Sequence, residues 1–123
     1  MAEAKRASLR EFMLAKNGSN KRHKVTLEGK EIEIREPNGR ERAKIYKAAT
    51  VLRGTGKDAI TDIDPGRLNA MAVITCCLDP SDGSRIFSME DLDALQDLPA
   101  SVLDRLAKPI LEFMGESDSE GND

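Results

Sequence analysis

Apolar and polar positions change period several times along this chain. Leu9, Phe12 and Met13 stand at i, i+3, i+4, the spacing of one helical stripe. The segment Ser8-Leu9-Arg10-Glu11 has the form of a capping box, which places a short helix from Ser8 to about Lys16, ended by Asn17-Gly18-Ser19-Asn20. A helix this short is unstable alone and needs something to pack on. The period then falls to two in Val25-Thr26-Leu27 and Ile32-Glu33-Ile34, two strands around a turn. A two-residue Gly29-Lys30 loop of type II′ pairs Leu27 with Ile32 and Val25 with Ile34, putting all four apolar side chains on one face. A single hairpin is marginal, so helices are expected over that face.

From Pro37-Asn38-Gly39 onward the period is helical. Arg40 to about Leu52 carries Ile45, Tyr46, Ala49 and Leu52 along one side, and Gly54-Thr55-Gly56 ends it. After a polar loop, Asp64-Pro65 reads as an N-cap followed by Pro in the first turn, with Ile63 and Leu68 placed as a hydrophobic staple. The helix Pro65 to Leu78 is apolar around most of its circumference and is expected to be the central, buried one. Asp79-Pro80-Ser81-Asp82-Gly83 then forms a turn, and Ile86-Phe87 re-enters the core. Ser88 caps a further helix, with Glu90 and Asp91 in its positively polarised first turn and Phe87 and Leu92 as its staple. After Pro99 a last helix carries Val102, Leu103, Leu106, Ile110 and Phe113, with Pro109 breaking its hydrogen-bond ladder. The pattern predicts an α+β, mostly α domain: an N-terminal helix, one antiparallel β-hairpin, then a small bundle of about four helices. Its expected bounds are a flexible N-terminus over 1–7, one domain over 8–114, and a disordered acidic tail over 115–123.

Composition limits the core without changing this picture. The chain has 123 residues and 39% apolar residues, but three Phe, one Tyr and no Trp, so Leu, Ile, Val, Met and Ala supply most of the volume. The longest apolar run, Ala70 to Leu78, is far shorter than the roughly 20 residues that cross a bilayer, and no stretch has the form of a signal peptide. A cytoplasmic protein with no membrane partner is expected. Charge adds something new. The net charge is −3, yet Lys plus Arg minus Asp plus Glu is 15 − 8 = +7 over residues 1–60 and 4 − 14 = −10 over 61–123. Head-to-tail association of basic and acidic halves is one reading; the halves facing each other within a monomer, or plain solvation, is the other.

The search for chemistry excludes most classes. Cys76 and Cys77 are adjacent, poorly placed to chelate one metal and too few for a disulfide framework; they read as small buried residues. With Gly83 as the invariant sixth position of a calcium loop, the first, third and twelfth positions are Leu78, Pro80 and Met89, none of them a ligand. His23 is the only histidine, so no histidine triad or multi-histidine metal site assembles. Gly54-Thr55-Gly56-Lys57 lacks the spacing of a phosphate loop, and Asp58 stands where Ser or Thr belongs. Lys21-Arg22-His23-Lys24 has no stacking aromatics beside it, and the acidic half repels phosphate, so nucleic acid is not the expected partner. The sequence therefore predicts no catalytic residues, no metal, no cofactor and no enzyme.

The start SLREFMLA, the hairpin, the Pro-Asn-Gly break before a charged helix and the stretch CCLDPSDGSRIFSMEDLDAL together resemble the tail assembly chaperone family of long-tailed phages and prophages. The resemblance spans roughly Ser8 to Met114 by order of elements. Its most characteristic part is the acidic turn with Gly83, followed by Ile86-Phe87 and Asp91. It implies a chaperone that binds the tape measure protein, keeps it soluble, helps recruit tail tube subunits and leaves before the tail is complete. It also implies action in the host cytoplasm and absence from the mature virion. In many relatives a translational frameshift adds a second domain that contacts the tube protein, and this chain would be the short form. A small subunit serving a long helical client is expected to act as a homo-oligomer. Leu9, Phe12 and Met13, on a marginal first helix, are the expected partner-binding residues, with Met71 and Met114 as further adaptable apolar side chains and Met71 better placed in the core. The alternative from another class is a structural head-tail connector or minor tail protein that stays in the particle.

Overall fold

The computed structural model describes the backbone of residues 2–115 and the side chains from Lys5 onward; the acidic segment 116–123 lies outside the described residues. In chain order the elements are α1 (Ala2–Leu14), β1 (Arg22–Leu27), β2 (Lys30–Arg35), α2 (Gly39–Ala49), β3 (Thr50–Arg53), β4 (Ile60–Ile63), α3 (Pro65–Cys76), β5 (Cys77–Leu78), α4 (Leu92–Gln96) and α5 (Ala100–Phe113). The α+β, mostly α class and the order of helix, hairpin and helices agree with the sequence reading.

Its centre is α3, which packs against α2, α4 and α5. All eight residues from Ala70 to Cys77 are buried, because an element with apolar side chains on every side loses least by being enclosed. Asp64 caps the helix by accepting from the amides of Gly66 (3.1 Å) and Arg67 (3.4 Å), ahead of Pro65 in the first turn. Ile34, Ile45, Val73 and Ile110 are the largest fully enclosed aliphatic side chains, so one core joins β2, α2, α3 and α5.

The main sheet has the order β1-β2-β5, antiparallel throughout. The hairpin register differs from the expected one by two residues: Val25 opposes Ile32, and Leu27 opposes Lys30. The turn is Glu28-Gly29, with φ of 50° and 83°, which is the left-handed pair of a type I′ turn. Gly29 thus takes the second central position and Lys30 is the first residue of β2. A shift of two preserves parity, so the apolar residues keep their common face.

Three boundaries depart from expectation. Helix α1 begins at Ala2, so Ser8 lies inside it and caps nothing. Helix α2 ends at Ala49, and Thr50–Arg53 pairs with Ile60–Ile63 as a second hairpin where a helix end and a polar loop were expected. Leu52 accordingly leaves the helix stripe and is 69% exposed on β3. The third is the end of α3 at Cys76, where Cys77 and Leu78 switch to extended backbone and pair with Ile34 and Glu33 of β2. Helix α5 runs on through Pro109 to Phe113.

Candidate functional site

Helix α1 stands apart from this core. Every described side chain in it is exposed, and the three residues picked out by spacing are 61% (Leu9), 60% (Phe12) and 58% (Met13) exposed. A helix of this length owes most of its stability to packing of an apolar face, and here that face has no partner among the described residues. Lys5, Arg6, Leu9, Arg10 and Met13 line one side of it. Lys16 lies over the Phe12 ring, 4.3 Å from its centroid. The face is therefore apolar at its centre and cationic around it. Leu14 is also exposed, a residue the stripe left out.

Sequence reasoning missed two other exposed apolar features. One is the β3–β4 ribbon with Leu52, Ile60 and Ile63, whose cross-strand Arg53 and Asp62 form a 2.9 Å ion pair. The signal was present as β-branched residues in Thr50-Val51 and Ile60–Ile63, masked by the helical stripe running into Leu52. The other is Ile86 with Met89. Phe87 does pack against the core, but Ile86 does not join it. Of the further methionines, Met71 and Met114 are both buried, which removes them from any surface.

The surface is carried by a braced scaffold. Glu41 is its hub: it accepts from the Asn38 amide (2.9 Å) in a capping box whose other half is the Glu41 amide on Asn38 Oδ1 (2.8 Å). It also accepts both terminal nitrogens of Arg35 (3.0 and 2.9 Å) and one of Arg85 (3.2 Å). This joins β2, the start of α2 and the acidic turn. The Arg35 hydrogen bonds hold the Glu41 carboxyl below the usual carboxylate range despite partial burial. In the turn, Asp79 accepts from the Ser81 amide and hydroxyl, and Asp82 from those of Ser84, so the acidic side chains close local loops as expected of turn formers. At the Ser88 start, the Ser88 amide donates to Asp91 at 2.9 Å.

Among the described residues no group of three or more His, Cys, Asp and Glu side chains is placed to hold a metal ion, and no helix is long and apolar enough to cross a membrane. Burial pushes the thiols of Cys76 and Cys77 up to about 12, so both are held as neutral thiols at physiological pH. His23 lines a groove of about 390 Å³ between β1 and α5 with Lys24, Arg105 and Phe113, where Arg105 donates to the Thr26 carbonyl at 2.9 Å.

Fold and surface together define a small helical α+β domain with an unpacked, cationic amphipathic helix. No family model matches the sequence, and no curated protein matches it either. Among solved structures, the chain is similar in fold to the tail assembly chaperone of bacteriophage HK97, with a TM-score of 0.56 and 18% identity over 87% of this chain and 97% of that one. At that identity the likeness is one of fold.

Proposed function

We propose that this chain is a tail assembly chaperone of a long-tailed phage or prophage, which binds the tape measure protein, keeps it soluble and helps recruit tail tube subunits. The observation that carries the reading is the exposed Leu9, Phe12 and Met13 face, found on a fold like that of a phage tail assembly chaperone. A long helical client presents apolar side chains at i, i+3, i+4, i+7, and a helix face of matching period is suited to cover them. Unbranched Met13 adapts to varied sequence, and several copies along one client gain avidity. The protein acts in the host cytoplasm, as a homo-oligomer on its client, and is absent from the mature virion. Tube recruitment falls to this chain or to a longer frameshifted form of it.

Co-expression of the tape measure protein with wild-type chain or with Phe12→Asp tests this. The wild type is expected to keep the client in the soluble fraction and the variant to lose it, while both give the same circular dichroism spectrum. A client that aggregates equally with both contradicts the reading. Mass spectrometry of purified particles checks the remainder: a head-tail connector or minor tail subunit is retained in the virion, whereas a chaperone is not found there.

A further inference from the structure

The groove between β1 and α5 lies where the main sheet ends. Strand β1 is an edge of the β1-β2-β5 sheet. The Glu36 amide donates to the Lys21 carbonyl at 2.8 Å, and every second residue from there, His23, Val25 and Leu27, shares the phase that bonds β2. The backbone groups of Arg22, Lys24 and Thr26 therefore point away from β2. Arg105 shows that this side faces α5, because its guanidinium donates to the Thr26 carbonyl at 2.9 Å. The groove holds about 390 Å³, and three cations line it, Lys24, Arg105 and Lys108, with His23 beside them and Glu112 as the one carboxylate. It is a cationic slot along an open strand edge.

The same chain carries a segment of matching charge that starts at the end of this groove. Phe113, the last residue of α5, is part of the groove wall. Beyond Met114 and Gly115 the sequence reads Glu116-Ser117-Asp118-Ser119-Glu120-Gly121-Asn122-Asp123, with four carboxylate side chains and no cation. Gly115 has φ of 94°, the left-handed conformation that turns a chain back at the end of a helix. Arg105 to Phe113 covers about 12 Å of helix, a length that about four extended residues span, so 116–123 is long enough to reach the Arg105 end. We infer that residues 116–123 fold back along α5 and lie in this groove, their carboxylates against Lys24, Arg105 and Lys108. Opposite charge selects the site, and the short tether supplies a local concentration of about millimolar, so contacts too weak to hold a free peptide hold this one. The groove is thereby closed to other acidic segments until one displaces the tail. The contact does not involve α1 and stands or falls apart from the chaperone reading.

Backbone-amide NMR on the isotope-labelled full chain tests the contact. Neutralising the tail with Glu116→Gln, Asp118→Asn, Glu120→Gln and Asp123→Asn is expected to shift the amides of both walls, Lys24 and Thr26 as well as Arg105 and Lys108. Shifts confined to residues 112–115 overturn the inference, since they report only the adjoining chain. Lys24→Glu with Lys108→Glu, both exposed positions, reverses the groove. In that background, neutralising the tail is expected to leave the Thr26 and Arg105 amides in place, and a response as large as in the wild type overturns the inference. A free peptide of residues 116–123 is expected to bind the neutral-tail chain at least tenfold more tightly than the wild type, whose own tail competes. Equal binding to both means that the wild-type groove is open to acidic segments of other proteins and overturns the inference, as does a neutral-tail chain that binds no peptide at millimolar concentration. Wild-type shifts at both walls that grow with protein concentration assign the groove to the tail of a second copy, and they too overturn it.

Discussion

Glu41→Ala removes the hub that ties β2, the start of α2 and the acidic turn together. It removes the carboxylate that caps the first turn of α2, worth about 1 kcal/mol. It also strips the two charged hydrogen bonds from Arg35, whose side chain is only 16% exposed, leaving that guanidinium poorly solvated at a cost of about 1.5–3 kcal/mol. Arg85 is 52% exposed and adds little. The sum is about 2.5–4 kcal/mol, which at a urea m-value of about 2 kcal/mol/M lowers the midpoint by about 1.2–2 M. Glu41→Gln keeps an acceptor for the Asn38 amide and loses the charge, so its midpoint falls between those of the wild type and Glu41→Ala. The pH dependence has a fixed sign. Because the folded carboxyl is held below its ordinary value, its contribution is present above the usual glutamate range and lost as pH falls through the folded value. The difference between wild type and Glu41→Gln therefore shrinks on acidification. A Glu41→Ala midpoint within about 0.3 M of wild type refutes the reasoning, since that is well under 1 kcal/mol at such an m-value.

Three further outcomes follow from the same packing. Ile110→Ala, in a fully enclosed site, is expected to cost about 2–5 kcal/mol by urea denaturation, while Phe12→Asp in the unpacked helix stays within about 0.5 kcal/mol. Cys76 and Cys77 are expected to resist a thiol reagent at pH 8 in the folded protein and to react, two per chain, once urea unfolds it, because burial pushes both thiols up to about 12. Glu28→Asn is expected to raise the unfolding free energy from urea denaturation slightly, by less than about 1 kcal/mol, since Asn tolerates the left-handed φ of 50° better than Glu at the first central position of the turn.

How far the sequence revealed this structure depends on which physics was local. The cap at Asp64-Pro65, the turn at Asp79–Gly83 and the start at Ser88 were legible because side chains there bond their own neighbouring backbone. The face of the first hairpin was legible and its register was not: parity follows from the pattern alone, but Gly29 can occupy either central position of a two-residue turn. The β3–β4 ribbon was hidden because Ile45, Ala49 and Leu52 continue a helical spacing that tertiary structure cuts short at Ala49. Helix α1 shows the limit for the candidate binding face. Its stripe of Leu9, Phe12 and Met13 could be read directly, whereas a stripe packed against a core and one open to solvent have the same sequence.

The central claim, that an unpacked helix face serves to hold a client, is tested most directly by light scattering on the complex purified after co-expression with the tape measure protein encoded nearby. The account predicts a soluble complex whose mass requires several copies of this chain per client. Insoluble client with this chain recovered alone as a monomer contradicts it.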